Sequence, residues 1–188
     1  LLPLVQAGLI ETEDLIIDAK SGVTGAGRSL KEQNLFSEVA EAMHAYGVGA
    51  HRHAPEIEQE VSLAAGRSVI VNFTPHLVPM NRGEYLSVYA KSANGAKAKD
   101  MRACLQAHYS DAPFVRLARE GLVPATRHVR GSNLCELAAF DDRLPARVIL
   151  FSALDNLVKG SSGQAVQNLN IMFGFDETEG LQQQPLYP

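Results

Sequence analysis

Leu134-Cys135-Glu136-Leu137-Ala138-Ala139-Phe140 and Arg147-Val148-Ile149-Leu150-Phe151-Ser152 decide the fold class of this chain. Each is a short apolar run that reads as a strand, and they follow one another with no helical stretch between them. Phe114-Val115-Arg116-Leu117 precedes them as another strand. Further upstream, Leu15-Ile16-Ile17-Asp18-Ala19, Ser68-Val69-Ile70-Val71-Asn72-Phe73 and Tyr85-Leu86-Ser87-Val88-Tyr89-Ala90 read the same way. Helical periodicity is confined to a few segments. Residues 54 to 65 put Ile57, Val61 and Ala64 on one face, with Gly66 as the stop. Residues 96 to 109 align Met101, Leu105 and His108, and a last helix runs through Gln164, Val166, Leu169 and Met172. Residues 30 to 45 carry a broken helical period through Leu35, Val39 and Met43. Strands outnumber helices and do not strictly alternate with them. The expected fold class is therefore α+β: a mixed, largely antiparallel sheet with helices packed on one face.

Bulk properties narrow the function classes. The chain has 188 residues, 46% hydrophobic and 20% charged, which fits one soluble globular domain. A net charge of -4 with scattered Lys and Arg argues against a nucleic-acid surface. No apolar run reaches the ~18 residues that a membrane span needs. Cys104 and Cys135 form no CxxC pair, so neither a zinc knuckle nor a disulfide scaffold is indicated, and a reducing, cytosol-like compartment is expected. The opening Leu1-Leu2-Pro3-Leu4-Val5 lacks a Met and a basic flank. It reads as a helix already under way in a larger protein rather than as a secretory signal.

Several polar clusters stand out. Ser21-Gly22-Val23-Thr24-Gly25-Ala26-Gly27-Arg28 follows a strand, and freed backbone amides beside Arg28 suit an anion, although the spacing is neither a Walker loop nor a dinucleotide fingerprint. His51-Arg52-His53-Ala54-Pro55-Glu56 crowds imidazoles, a guanidinium and a carboxylate at a helix start. That set suits proton transfer on an anionic substrate gripped by Arg52. A His-x-His metal pair completed by Glu56 is the weaker reading, since zinc sites favour thiol or further His ligands. A helix beginning at Pro55 should also push a nearby imidazole's pKa down. The loop from Thr74 to Gly83 holds Pro75, Pro79 and Arg82, and its prolines are expected to stop the strand before it. Asp155-Asn156-Leu157-Val158-Lys159-Gly160 leads through a Gly-rich turn into a helix, where amides can grip a polar ligand.

Taken together and in this order, these stretches, with Phe73-Thr74-Pro75-His76-Leu77 and Gln167-Asn168, closely resemble the N-acetyl-gamma-glutamyl-phosphate reductases of the aspartate-semialdehyde dehydrogenase group. The resemblance spans nearly the whole chain. It implies a glyceraldehyde-3-phosphate-dehydrogenase-like C-terminal domain, with residues 1 to 188 serving substrate binding and dimerisation in a two-domain reductase. The implied reaction is NADPH-dependent reduction of N-acetyl-glutamyl 5-phosphate to the 5-semialdehyde in cytoplasmic arginine biosynthesis. A cysteine thiolate would expel phosphate, and the thioester would then be reduced.

On that resemblance His51 or His53 handles protons, while Ser21, Arg28, Arg52, Glu56 and Arg82 bind substrate. Gly22, Gly25 and Asn156 would meet the cofactor, no metal is implied, and the partner is a second copy in a homodimer or homotetramer. The sequence departs from the family's pattern in lacking the Gly-Cys-Tyr-Pro-Thr nucleophile stretch and the dinucleotide-binding half. Cys104 and Cys135 sit among apolar neighbours and read as inert packing thiols. An isolated chain is therefore expected to be inactive. A reductase for aspartyl phosphate or carrier-linked aminoadipyl phosphate is the alternative, as is a non-catalytic dimerisation module.

Overall fold

The computed structural model describes residues 1–186. In chain order the regular elements are α1 (Leu2–Gln6), β1 (Ile16–Gly22), α2 (Phe36–Val39), β2 (His44–Ala45), α3 (Ala54–Ala65) and β3 (Asn72–Val78). They continue as β4 (Glu84–Lys91), α4 (Ala98–His108), β5 (Val115–Leu117), β6 (Cys135–Asp141), β7 (Arg147–Leu154) and α5 (Gly163–Phe173). The strands form one seven-stranded sheet in the order β2-β3-β1-β4-β7-β6-β5. Pairs β1/β3 and β5/β6 are parallel, and every other neighbouring pair is antiparallel. This is the expected mixed, largely antiparallel sheet. The connection from β6 to β7 is too short to hold a crossover helix, so those strands must return on each other. The long β1-to-β3 connection carries α3 and allows the parallel pair.

Register explains which face is covered. Ile17 pairs with Phe73 on one side and Val88 on the other, Val88 pairs with Leu150, and Leu150 with Ala139. This apolar row crosses the sheet and packs beneath Leu4 of α1, Val61 of α3, and Met101 and Leu105 of α4. Every strand residue of that core lies on this one face, as helices on one face require. The opposite face carries partly buried Tyr85, Tyr89, Phe140 and Phe151, with Phe151 in ring contact with Tyr85 and Phe140.

Local expectations fail in a few places. Strand β3 runs straight through Pro75 instead of stopping before it. The Pro75 carbonyl accepts from Tyr46 N, so its missing N–H points toward the same side, where β2 is only His44–Ala45 long. A proline is tolerated there because the short edge strand demands no donor from it. Ser21 and Gly22 end β1 rather than opening a loop. No helix spans residues 30 to 45; the segment breaks into a short 3-10 turn, α2 and β2. Leu30, Leu35, Phe36 and Met43 are exposed, so no apolar face is buried to hold a longer helix. In α4, Met101 and Leu105 are buried as expected, but His108 is exposed.

Candidate functional site

Segments far apart in sequence meet at one end of the sheet. Gly22 N donates to Gly83 O at 2.8 Å, and Val23 N donates to Met80 O at 2.9 Å. A Cβ on Gly22 would lie 3.0 Å from the carbonyl oxygens of Met80 and Asn81, so the bare glycine lets the two loops touch. Asn156 closes the arrangement. Its Oδ1 accepts Gly83 N at 2.7 Å, and its Nδ2 donates to Thr24 Oγ1 at 3.0 Å. Thr24 in turn donates to Asn81 O. Ser21, Gly22, Gly25, Arg82 and Asn156 thus belong to one knot, with Gly25 beside Ser21 Oγ and Asn156 Nδ2.

Arg82 is held from below. Its Nη2 donates to Asp155 Oδ1 at 3.1 Å, and its Nε lies 3.0 Å from Asp155 Oδ2. Asp155 is fully buried, and its carboxylate also accepts backbone N–H groups from Gly131, Leu157 and Val158 at 2.6–3.0 Å. Such a carboxylate fixes the Arg82 loop against the turn that presents Asn156. The Arg82 side chain is 30% exposed, so part of the guanidinium still faces outward.

The histidine corner lies on the helix-bearing side. His51 is partly buried, with ring centroids 5.3 Å from Tyr46, 5.2 Å from Phe73 and 4.9 Å from His53. Burial lowers the His51 pKa below the usual imidazole value, and the nearby His53 and Arg52 add to the effect. The direction is the one expected from a helix start, but packing leads the causes. His53 N donates to His51 Nδ1 at 3.2 Å, which leaves the neutral ring's proton on Nε2. Tyr46 connects this corner to the knot. Burial and the Glu84 carboxylate push its phenol above the ordinary value, against smaller opposing effects of Arg52 and a hydrogen bond with Ser21.

The remaining predicted residues are less engaged. His53, Arg52 and Glu56 are exposed at the start of α3, where Glu56 also complements the helix's positive end. Arg28 is exposed beyond the Gly22–Gly25 knot and makes no ion pair among the described residues. Among the described residues, no three His, Cys, Asp or Glu side chains gather as a metal site. Cys104 donates to Pro3 O at 3.6 Å; Cys135 lies 3.4 Å from Ser152 Oγ, and burial raises its thiol pKa. Neither has the exposed setting of a reactive thiol, and at Cys135 burial outweighs the opposing charges of Lys159 and the N-terminus.

No motif in the sequence points to Tyr46 or Glu84. Glu84 faces Ser21 across β1 and β4; its carboxylate makes no hydrogen bond or ion pair among the described residues, and burial raises its pKa. A lone carboxylate heading an apolar strand was the available signal.

The model of the semialdehyde dehydrogenase dimerisation domain matches residues 1–156. The chain belongs to this family. Among semialdehyde dehydrogenase relatives, the N-acetyl-gamma-glutamyl-phosphate reductase of Rhodospirillum rubrum is 57% identical over all of this chain, which covers 53% of that protein. The probable chloroplastic N-acetyl-gamma-glutamyl-phosphate reductase of Arabidopsis thaliana is 55% identical over all of this chain and 47% of its own length. The chain thus spans about half the length of these curated relatives. Aspartate semialdehyde dehydrogenase II of Vibrio cholerae, solved with ASA, shares the fold at a TM-score of 0.70 and 17% identity, covering 92% of this chain and 57% of that one. A probable aspartate-semialdehyde dehydrogenase of Pseudomonas aeruginosa aligns at 0.69 and 21%, over 90% and 57% of the two chains. No helix among the described residues is long and apolar enough to cross a membrane.

Proposed function

We propose that residues 1 to 188 are the substrate-binding and dimerisation domain of a cytoplasmic NADPH-dependent reductase. It converts N-acetyl-glutamyl 5-phosphate to N-acetyl-glutamate 5-semialdehyde and phosphate in arginine biosynthesis. The observation that carries this reading is the knot of Ser21–Gly25, Arg82–Gly83 and Asn156. It joins the motifs of a chain 57% identical to a protein of that name. The rest of the polypeptide supplies the dinucleotide-binding domain and the cysteine that forms the thioester.

This chain's own residues orient and protonate. Arg52 is exposed and grips the substrate's anionic groups with the outward part of Arg82. Ser21 lines the acyl side, and Arg28 and Glu56 flank the entrance. His51, neutral and carrying its proton on Nε2, donates to the oxygen that gains charge, while exposed His53 sets its tautomer through the backbone. Gly22, Gly25 and Asn156 meet the cofactor's amide end, a role supported by their gathering in one knot. NADPH supplies the hydride when bound. The half-buried aromatic face of the sheet supports pairing of subunits into a homodimer or homotetramer.

The test is NADPH oxidation by the full-length protein with N-acetyl-glutamyl phosphate, with aspartyl phosphate as a parallel substrate. Turnover of the first and not the second is expected, and none from the 188-residue chain alone. Preference for aspartyl phosphate, or turnover by the isolated chain, overturns the assignment.

A further inference from the structure

The end of the sheet beside the knot carries a carboxyl that nothing in the fold explains. Register lines up one row of side chains across six strands. His44 pairs with Leu77, Leu77 with Ser21, Ser21 with Glu84, Glu84 with Leu154 and Leu154 with Cys135. Directly paired residues share a face, and alternation puts this row on the helix-bearing side with Ala19, Leu86 and Leu137. Its central members adjoin the knot: Gly22 follows Ser21, Gly83 precedes Glu84, and Asp155 and Asn156 follow Leu154. Glu84 is partly buried between Ser21 and Leu154, and its carboxylate has no hydrogen bond or ion pair among the described residues. Burial alone raises its pKa; no cation pulls it back. Tyr46 reaches the same row. Its phenol hydrogen-bonds Ser21 and feels the Glu84 charge, while its ring touches His51. The carboxyl therefore sits among two hydroxyls and Leu154, on the histidine's side of the sheet.

A polar group left without a partner costs stability unless something else binds it. The substrate of the proposed reaction offers three polar ends: the acyl phosphate, the α-carboxylate and the acetamido group. Two of these are anions, and the cations for them are Arg28, Arg52 and the outward part of Arg82. An ionised Glu84 would repel either anion, and a neutral one is a weaker partner than a guanidinium. The acetamido group is what remains. Its N–H donates, its carbonyl accepts, and its methyl needs an apolar surface. A carboxyl that favours its neutral form, two hydroxyls and Leu154 supply all three. We propose that the Glu84 carboxyl is a specificity-determining contact to the acetamido group of the substrate, with the Ser21 and Tyr46 hydroxyls beside it. This contact deepens the proposed reaction and rests on it. A free ammonium at the same carbon would need the ionised carboxyl, the form that burial disfavours.

The experiment uses the full-length protein and two acyl phosphates that differ only at this group. One is N-acetyl-glutamyl 5-phosphate; the other is glutaryl phosphate, which has hydrogen in place of the acetamido group. NADPH oxidation gives kcat/KM for each. Glu84→Leu is expected to cut the preference for the acetylated substrate by about tenfold, chiefly through its KM, the usual size of one lost hydrogen bond. Glu84→Gln keeps a donor and an acceptor and is expected to restore most of that preference. Leucine strands no partner at this position, so circular dichroism should show a folded variant, and Glu84→Ala repeats the test with a smaller side chain. Equal losses on both substrates would make Glu84 a structural residue and overturn the inference. So would a preference unchanged in the leucine and alanine variants, or a glutamine variant no better than leucine. In each of these cases the proposed reaction stands without the contact. A wild-type protein that prefers aspartyl phosphate, or does not turn over N-acetyl-glutamyl 5-phosphate, overturns the reaction and the contact with it.

Discussion

Arg82 and Asp155, far apart in sequence, meet through a two-point contact in which the carboxylate is wholly buried. Removing the cation takes away both contacts but leaves the carboxylate the N–H groups of Gly131, Leu157 and Val158. Arg82→Met is therefore expected to cost about 1.5–3 kcal/mol in urea unfolding, the usual worth of a hydrogen bond to a charged group. Adding Asp155→Leu should deepen that loss, because the backbone N–H groups of Gly131, Leu157 and Val158 then have no acceptor. A single-variant loss below about 1 kcal/mol, typical of exposed pairs, would show that the contact does not hold the loop.

Gly83 tests whether the knot tolerates any side chain. Its φ is +124°, and a Cβ would lie 2.8 Å from both Cβ and Cγ2 of Thr126. Its N–H is also the one that Asn156 accepts. Gly83→Ala should lose at least about 1–3 kcal/mol from backbone strain alone, with the clash added. Gly27→Ala is the comparison: φ there is +60° with no atom within 4 Å, so only the conformational cost remains. Equal Tm losses for the two variants would contradict the packing account.

What the sequence made legible follows from how local each feature is. Helix α3 appears at residues 54–65 as its apolar spacing and Gly66 predict, because periodicity and a stop are written within the segment. The sequence predicts that strand β3 stops before Pro75, since nothing in the residues around a proline reveals that its edge partner is only His44–Ala45 long. The site divides in the same way. Its glycines, Arg82 and Asn156 are conspicuous by type. That Asn156 reaches Thr24, or that Tyr46 joins His51 to Ser21, depends on register and on chain separations beyond any local pattern. Glu84 escaped notice because its interest lies in burial without a partner, which only the fold creates.

Glu84 predicts a specific pH dependence of stability. Burial raises its folded-state pKa, so the folded chain binds a proton more tightly than the unfolded one. Between the unfolded and folded values, stability must fall as pH rises. Above the folded value the whole penalty is present. Glu84→Gln removes the ionisation and should raise Tm at neutral pH. That gain should shrink as pH drops toward the ordinary glutamate range. A variant whose advantage is the same at pH 4 and pH 7 would point to packing rather than charge.

His51 supplies the complementary case. Its pKa is lowered chiefly by burial, with Tyr46 and Phe73 packed against the ring. The folded state therefore binds fewer protons than the unfolded one below the ordinary imidazole value. The sign is opposite to that of Glu84: stability from this group is present above the unfolded value and is lost as pH falls through the folded one. NMR titration of the 188-residue chain should find the His51 ring titrating below an ordinary histidine, with the proton of the neutral form on Nε2. Tyr46→Ala admits water and should move that titration upward. On the proposed function, His51→Asn in the full-length protein should lower turnover by roughly 10²–10⁴, the usual loss when a positioned proton donor is removed. The Tyr46→Ala shift and the acid limb of kcat/KM should then move together, because both report the same ring. If the ring titration moves and the acid limb stays, proton transfer belongs to His53 or to another group.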